Sequence, residues 1–283
     1  MRTTLILLGT GGGPTPKVTR SAPAQVVTVG DAAYLIDAGN GVARQLTLAG
    51  VPFRDLRTVA VTHHHSDHIA DLGTLPLLAW GADLAHAIDV YGPPPLSAML
   101  AAYLDFADTD VSTRIADEGR PPLLPLVRGH EFAPPARPTR VYEDDRARIT
   151  TVAVHHPPMA AVGYRIDTDD GAIVVSGDTA PCDALVELAT GADLLVHEAI
   201  HLPSLDFPLA RTNGSRLREH LVDSHTTPAD AGRIAERAGV RTLVLSHLVP
   251  ADAGVPDGVW RAEAARGFRG RVVVGADLMS FVP

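Results

Sequence analysis

The chain has a single cysteine, Cys182, so no intrachain disulfide can form. It has no apolar run near the roughly 20 residues that cross a bilayer. The opening Leu5-Ile6-Leu7-Leu8 is too short for the core of a signal peptide and leads straight into a glycine turn. No membrane partner is expected, and a cytoplasmic location is the default expectation. Positive charge is scarce: 24 Lys and Arg stand against 33 Asp and Glu, for a formal net charge of −9. A broad nucleic-acid face needs a basic surface, which argues against one here and leaves room only for a local basic patch. No G-x-G-x-x-G or Walker pattern is completed. The cluster Gly9-Thr10-Gly11-Gly12-Gly13-Pro14 therefore reads as turn chemistry or as backbone brought close to a buried site. No internal repeat is visible.

What is present is a globular composition, 46% hydrophobic and 20% charged over 283 residues. The chain is organised around Val59–His68, where a β-branched strand runs into His63-x-His65-x-Asp67-His68. Imidazole nitrogen and carboxylate oxygen are the donors that a borderline divalent ion such as zinc takes. Four donors in six residues do not reach one ion comfortably from one loop, so the spacing predicts two neighbouring ions. A histidine-rich tract without structure would not follow an apolar strand or be followed by Ile69 and Leu72.

The remaining order alternates strand and helix. Strands are expected at residues 2–8, 24–29, 33–36, 58–62, 89–91, 148–156, 163–167, 172–175, 194–196, 242–245 and 271–274. Helices are expected from about 37 to 48, over 69–80, over 96–106 with an irregular continuation to 116, and over 181–190, 228–238 and 257–267. Thr227 and Pro228 suit a helix cap and first turn. Two strand-rich halves hint at a duplicated sandwich. Residues 83–145, proline-rich between 121 and 138, read as an insertion bordering the site within one domain spanning 1–283; His86 and His130 there read as surface or substrate-wall residues. Four strands are expected to end in a candidate ligand: His63 and His65, His156 (with His155 as the alternative), Asp178 and His247. Strand ends at one edge of an α/β sheet are where sites form. Asp178 could instead cap the helix at 181–190. Asp37 reads equally as a brace for the histidines or as a helix-start carboxylate.

The set His63-x-His65-x-Asp67-His68, His156, Ser176-Gly177-Asp178-Thr179 and Ser246-His247 resembles the metallo-β-lactamase superfamily along nearly the whole chain. Leu8 to Pro14, Gly163-Tyr164-Arg165-Ile166, His197-Glu198-Ala199 and His225-Thr226-Thr227 place the resemblance in its ribonuclease Z and arylsulfatase-like branch. The resemblance implies a four-layer αββα sandwich with two mixed sheets, helices outside and two Zn2+ ions per chain, with Mn2+ or Fe2+ as alternatives. Carried over by motif, one ion takes His63, His65 and His156; the other takes Asp67, His68 and His247; Asp178 bridges them. His64 falls at a spacer position. Glu198 and His225 resemble the branch's acid/base pair.

The expected activity is hydrolysis of phosphodiesters or related esters by a metal-bridging hydroxide. Asp67 would orient that hydroxide and His225, oriented by Glu198, would protonate the leaving oxygen. His197 and His201 are possible supporting residues outside the ligand set. The alternative is an arylsulfatase-like or carboxyl-ester or lactone hydrolase on the same metals. A β-lactamase, an iron oxidoreductase and a non-catalytic binding protein are weaker readings, the last because such relatives lose ligands. No protruding arm is evident in 83–145, and with the acidic balance a tRNA substrate is not expected; a small-molecule ester or short nucleotide is. A homodimer is expected on resemblance alone.

Overall fold

The structure, a computed structural model, describes residues 2–210 and 212–283. Two seven-stranded sheets carry it. The first holds β1 (Thr3–Gly9), β2 (Ala24–Val29), β3 (Ala32–Ile36), β4 (Leu56–Ala60), β5 (Ile88–Gly92) and β6 (Val127–Glu131) in that order. The second holds β7 (Thr139–Glu143), β8 (Ala147–Val154), β9 (Ala161–Thr168), β10 (Gly171–Val175), β11 (Leu194–Ile200), β12 (Thr242–Val249) and β13 (Arg271–Val274). The last strand, β14 (Ser280–Phe281), returns antiparallel to β1. The expected duplication is visible in the ladder directions. In the first sheet antiparallel pairing changes to parallel at β3. In the second it changes at β10.

Strands buried on both faces read as continuous apolar runs, and β3 and β11 are buried at every residue. Leu5, Leu7, Val27, Tyr34, Val162, Ile173, Val196 and Val244 pack between the sheets. The outer face of the first sheet lies under α1 (Val42–Leu48), α3 (Thr74–Gly81) and α4 (Leu96–Glu118), with α2 (Ser66–Ile69) in the metal loop. The second sheet is covered by α5 (Asp183–Ala189), α8 (Pro228–Ala238) and α9 (Asp257–Ala264). The short α6 (Asp206–Leu209) and α7 (Leu217–Ser224) lie between β11 and α8. Helix α8 buries Ala231, Ile234, Ala235 and Ala238, an i, i+3, i+4, i+7 stripe. Thr227 caps it as expected, accepting from the Asp230 N–H at 3.2 Å. That cap fixes the chain just after His225.

Several expectations need correction. The section 83–145, expected as an insertion, supplies β5, β6 and β7 as paired members of the two sheets, with α4 and a short 3-10 helix at Leu124–Leu126 outside them. Strands β6 and β7 escaped the sequence because they are edge strands, mostly exposed, and so lack apolar alternation. Helix α4 runs unbroken for 23 residues and buries only Leu96, Leu100 and Ala107, which leaves little periodicity beyond Phe106. The helix expected over 69–80 is broken between Ile69 and Thr74. Strands β11 and β12 run on through His197-Glu198 and Ser246-His247 rather than stopping there. Among the described residues no helix is long and apolar enough to cross a membrane.

One buried-edge carboxylate sets an acid-stability prediction. Asp144 accepts from the Tyr34 and Tyr142 hydroxyls at 2.7 and 2.8 Å and from the Arg146 and Ala147 N–H groups at 2.9 and 2.8 Å. Burial pushes its carboxyl up, but these donors outweigh it and hold it below the usual 3.8. A lowered pKa adds stability above the unfolded value and loses it as pH falls through the folded one. Asp144→Ala should therefore cost about 1–3 kcal/mol near pH 7, because the Tyr34 hydroxyl is left buried without its acceptor. In urea melts the gap to wild type should narrow below pH 4; a pH-independent gap would contradict this account.

Candidate metal centre

The loop after β4 and the residues following β8 and β10 meet β12 at one edge of the sandwich. His63, His65, His156 and Asp178 form one group whose nitrogen and oxygen atoms could hold an ion; Asp67, His68 and His247 form a second. All but His65 are buried. Asp178 lies between the groups, with carboxylate oxygens 3.8 Å from His63 Nε2, 3.4 Å from His68 Nε2 and 3.2 Å from His247 Nε2. It does not cap α5, whose N-cap is Cys182. Gly177 permits this placement: its φ is +62°, and a Cβ there would come within 2.8 Å of the Val162 carbonyl.

His247 is delivered differently from the others. Glu198 pairs with Ser246 and Ala199 with Leu248, so His247 is the extra residue of a bulge, at φ +44°. Bulges re-aim side chains beside sites, and here the ring turns toward Asp67 and Asp178. The glycine cluster after β1 serves as close backbone approach. Gly13 N–H donates to Asp67 Oδ2 at 2.9 Å, and a Cβ on Gly12 would lie 2.7 Å from the His247 ring.

The donor chemistry fits a bound cation. Asp37 takes the first of the two readings open for it: His68 Nδ1–H donates to Asp37 Oδ2 at 2.7 Å, and Thr62 Oγ1 donates to the same carboxylate while standing 3.0 Å from His63 Nδ1. His156 Nδ1–H donates to the Ser224 carbonyl at 3.0 Å. These outer bonds put the protons on Nδ1 and leave Nε2 lone pairs facing inward. His63 Nε2 and His156 Nε2 each lie near His65 Nδ1, at 3.0 and 3.1 Å. Burial lowers the His63 and His156 pKa values and brings His65 to about 4, so these imidazoles are neutral at pH 7. Three neutral nitrogens converging at such range satisfy one another poorly and suit a shared cation. His68 Nε2 and Asp178 Oδ1 are buried with no hydrogen-bond partner.

Removing the brace at Asp37 should weaken this centre without touching a donor. Asp37→Ala is expected to lower metal affinity about 10–100-fold, read by competition with a chromophoric chelator. Unchanged affinity would remove the assigned role.

Glu198 and His225 sit against the second group. His225 Nδ1–H donates to Glu198 Oε1 at 3.0 Å, and the same oxygen accepts the N–H groups of Thr226 and Thr179 at 3.1 and 3.2 Å. Burial opposes the charge on His225, but Glu198 outweighs it and raises the imidazole to about 9. A His225 nitrogen comes within 4.8 Å of Asp178 and His247 donor atoms.

The other histidines separate clearly. His64 turns away to the Pro93 carbonyl, 2.7 Å from its Nε2. His155 is exposed, whereas His156 is in the cluster. His197 Nδ1 donates to the Glu198 carbonyl, and His201 Nδ1 meets Ser204 Oγ, both at 2.7 Å. His86 lies against Arg57, and His130 pairs with Asp89. One residue was missed: His220 of α7, whose ring centroid lies 5.7, 5.5 and 5.9 Å from those of His65, His156 and His225. Its only sequence signal is its position five residues before His225. Beside Asp67 opens a cavity of about 430 Å³ whose lining includes Thr15, Lys17, Arg44 and Ser66, a local basic patch within an acidic chain.

Residues 33–248 match the family described as a beta-lactamase superfamily domain. The ribonuclease Z of Mycobacterium bovis is 36% identical over 280 residues, covering 97% of this chain and 96% of that protein. Two solved structures show the same fold. The metallo-beta-lactamase fold protein YhfI of Bacillus subtilis has a TM-score of 0.72 at 24% identity over the whole of both chains. The short form of human tRNase Z has a TM-score of 0.70 at 20% identity over 99% of each. The ribonuclease Z name of the first relative runs against the expectation that set tRNA aside and gives the arylsulfatase-like alternative no support; the two solved structures show the fold alone. The chain belongs to the β-lactamase superfamily of metal-dependent hydrolases, in its ribonuclease Z-like group.

Proposed function

We propose that this chain is a two-metal hydrolase of RNA phosphodiesters, with zinc the first ion to test and a precursor tRNA the first substrate. The observation that carries the reading is the single carboxylate, Asp178, standing between two donor groups that together supply His63, His65, His156, Asp67, His68 and His247, all but His65 buried. Two ions held there would supply Lewis acidity toward a phosphoryl group and water ionised near neutral pH.

The chain's own residues do the rest. Asp67, anchored by the Gly13 N–H, lines the cavity that holds Lys17 and Arg44. Lys17 and Arg44 in that cavity place positive charge where a polyanion would approach, which answers the acidic overall balance. His225 has one ring nitrogen committed to Glu198, which leaves the other free to give a proton to the leaving oxygen. Glu198 fixes the ring and favours its charged form. The ribonuclease Z name of the Mycobacterium bovis relative supports RNA as the substrate class.

The test is cleavage of a precursor tRNA and of bis-p-nitrophenyl phosphate by zinc-reconstituted protein, with a chelator control and p-nitrophenyl sulfate alongside. Chelator-sensitive cleavage of the RNA supports the reading. Turnover of the sulfate ester with no phosphodiester cleaved would overturn it.

A further inference from the structure

His220 is a histidine of the cluster that neither donor group uses and that, unlike His225, has no carboxylate partner holding it among the described residues. It lies three residues into α7, on the turn that also carries Ser224, and is half-buried at the mouth of the centre. Its proton placement follows from its neighbours. Ser224 Oγ–H donates to the Pro157 carbonyl at 2.9 Å, so that hydroxyl has only lone pairs left for His220 Nδ1, 3.3 Å away. With the hydroxyl so directed, Nδ1 is the donor of this pair. A neutral imidazole with its hydrogen on Nδ1 has a bare acceptor at Nε2. The residue is thus an acceptor beside two imidazoles of the donor set, His65 and His156, and one bound to Glu198, His225.

Its place beside His225 says what that acceptor would meet. The two rings are 5.9 Å apart between centroids. His225 serves the leaving oxygen. When that oxygen is the 3′ oxygen of a ribose, the neighbouring carbon carries the 2′-hydroxyl, a donor one group further along. We infer that His220 is a specificity-determining residue: its Nε2 accepts a hydrogen bond from the substrate's 2′-hydroxyl beside the cleaved linkage and so selects ribonucleotide over deoxyribonucleotide diesters. This rests on the phosphodiester reading above. The 2′-hydroxyl is the group by which a protein tells RNA from DNA at one position.

The experiment uses three substrates with metal-loaded protein. They are a precursor tRNA whose cleaved linkage has been mapped, the same RNA with a single 2′-deoxy residue at that linkage, and bis-p-nitrophenyl phosphate, which has no such hydroxyl. Wild type should cleave the all-ribo RNA about tenfold better in kcat/KM than the deoxy-substituted one, the size of one good hydrogen bond. His220→Ala should reduce that ratio to near one by lowering only the all-ribo rate. His220→Gln, whose amide oxygen can accept, should restore part of it. His225→Ala should instead lower both RNA rates together. Metal content and melting temperature are read for each variant, and the ratio is internal to each protein, so partial misfolding does not mimic the effect. A ribo-to-deoxy ratio unchanged in both His220 variants overturns the inference. Failure of wild type on every phosphodiester overturns the underlying reading instead, and the inference with it.

Discussion

Asp178→Ala is expected to leave a folded protein that has lost metal and turnover together. The carboxylate stands between the two sets of donors, with three imidazole nitrogens within 3.8 Å of its oxygens. Without it each set keeps three neutral or singly charged donors, and nothing negative remains between two doubly charged ions. Their mutual repulsion in a buried site is then unscreened. Metal analysis should fall from two ions toward one or none, and turnover on either phosphodiester should drop by at least about 10²–10³-fold. Asp178→Asn keeps the size and one acceptor but not the charge, so it separates geometry from electrostatics; it should resemble the alanine variant more than wild type. A fully metallated Asp178→Ala protein with near wild-type turnover would refute the two-metal reading.

His225→Ala should do the opposite to metal and nearly the same to RNA cleavage. The ring approaches Asp178 and His247 but is held by Glu198 and lies outside the two groups that supply the seven proposed donors, so metal content should stay at the wild-type level. Losing a positioned proton donor typically costs about 10²–10⁴-fold. The size should depend on the leaving group. A ribose alkoxide needs the proton, whereas p-nitrophenolate leaves well without it. RNA cleavage should therefore fall far more than turnover of bis-p-nitrophenyl phosphate. Glu198→Gln, which keeps the hydrogen bond but removes the charge that raises His225 to about 9, should give an intermediate loss on RNA. Equal losses on both substrates would assign His225 to the metal centre rather than to the leaving oxygen.

The candidate donors were legible in the sequence because metal chemistry restricts residue type and the loop after β4 packs four of them into six positions. The apolar strands feeding them were legible because burial on two faces leaves continuous runs such as residues 33–36 and 194–196. That only one of His155 and His156 enters the centre was within reach, since alternate residues of an extended chain face opposite ways; the fold puts His156 there and leaves His155 exposed.

The tertiary structure decided the rest. The strands β6 and β7 owe their place to pairing partners far away in the chain, and their exposed sequences record nothing of it. His247 reaches the centre through a bulge in a strand that continues past it, a register fact set by β11 rather than by any local signal. Asp37 became a brace only when Thr62 and His68 were folded onto it. Lys17 and Arg44, 27 positions apart, form one basic cavity inside a chain of net charge −9. His220 carries no motif at all, and its role follows from which rings and which hydroxyl stand beside it. Residue type fixed what chemistry was available; pairing register, bulges and long-range hydrogen bonds, which depend on contacts between distant segments, determined which of those groups meet.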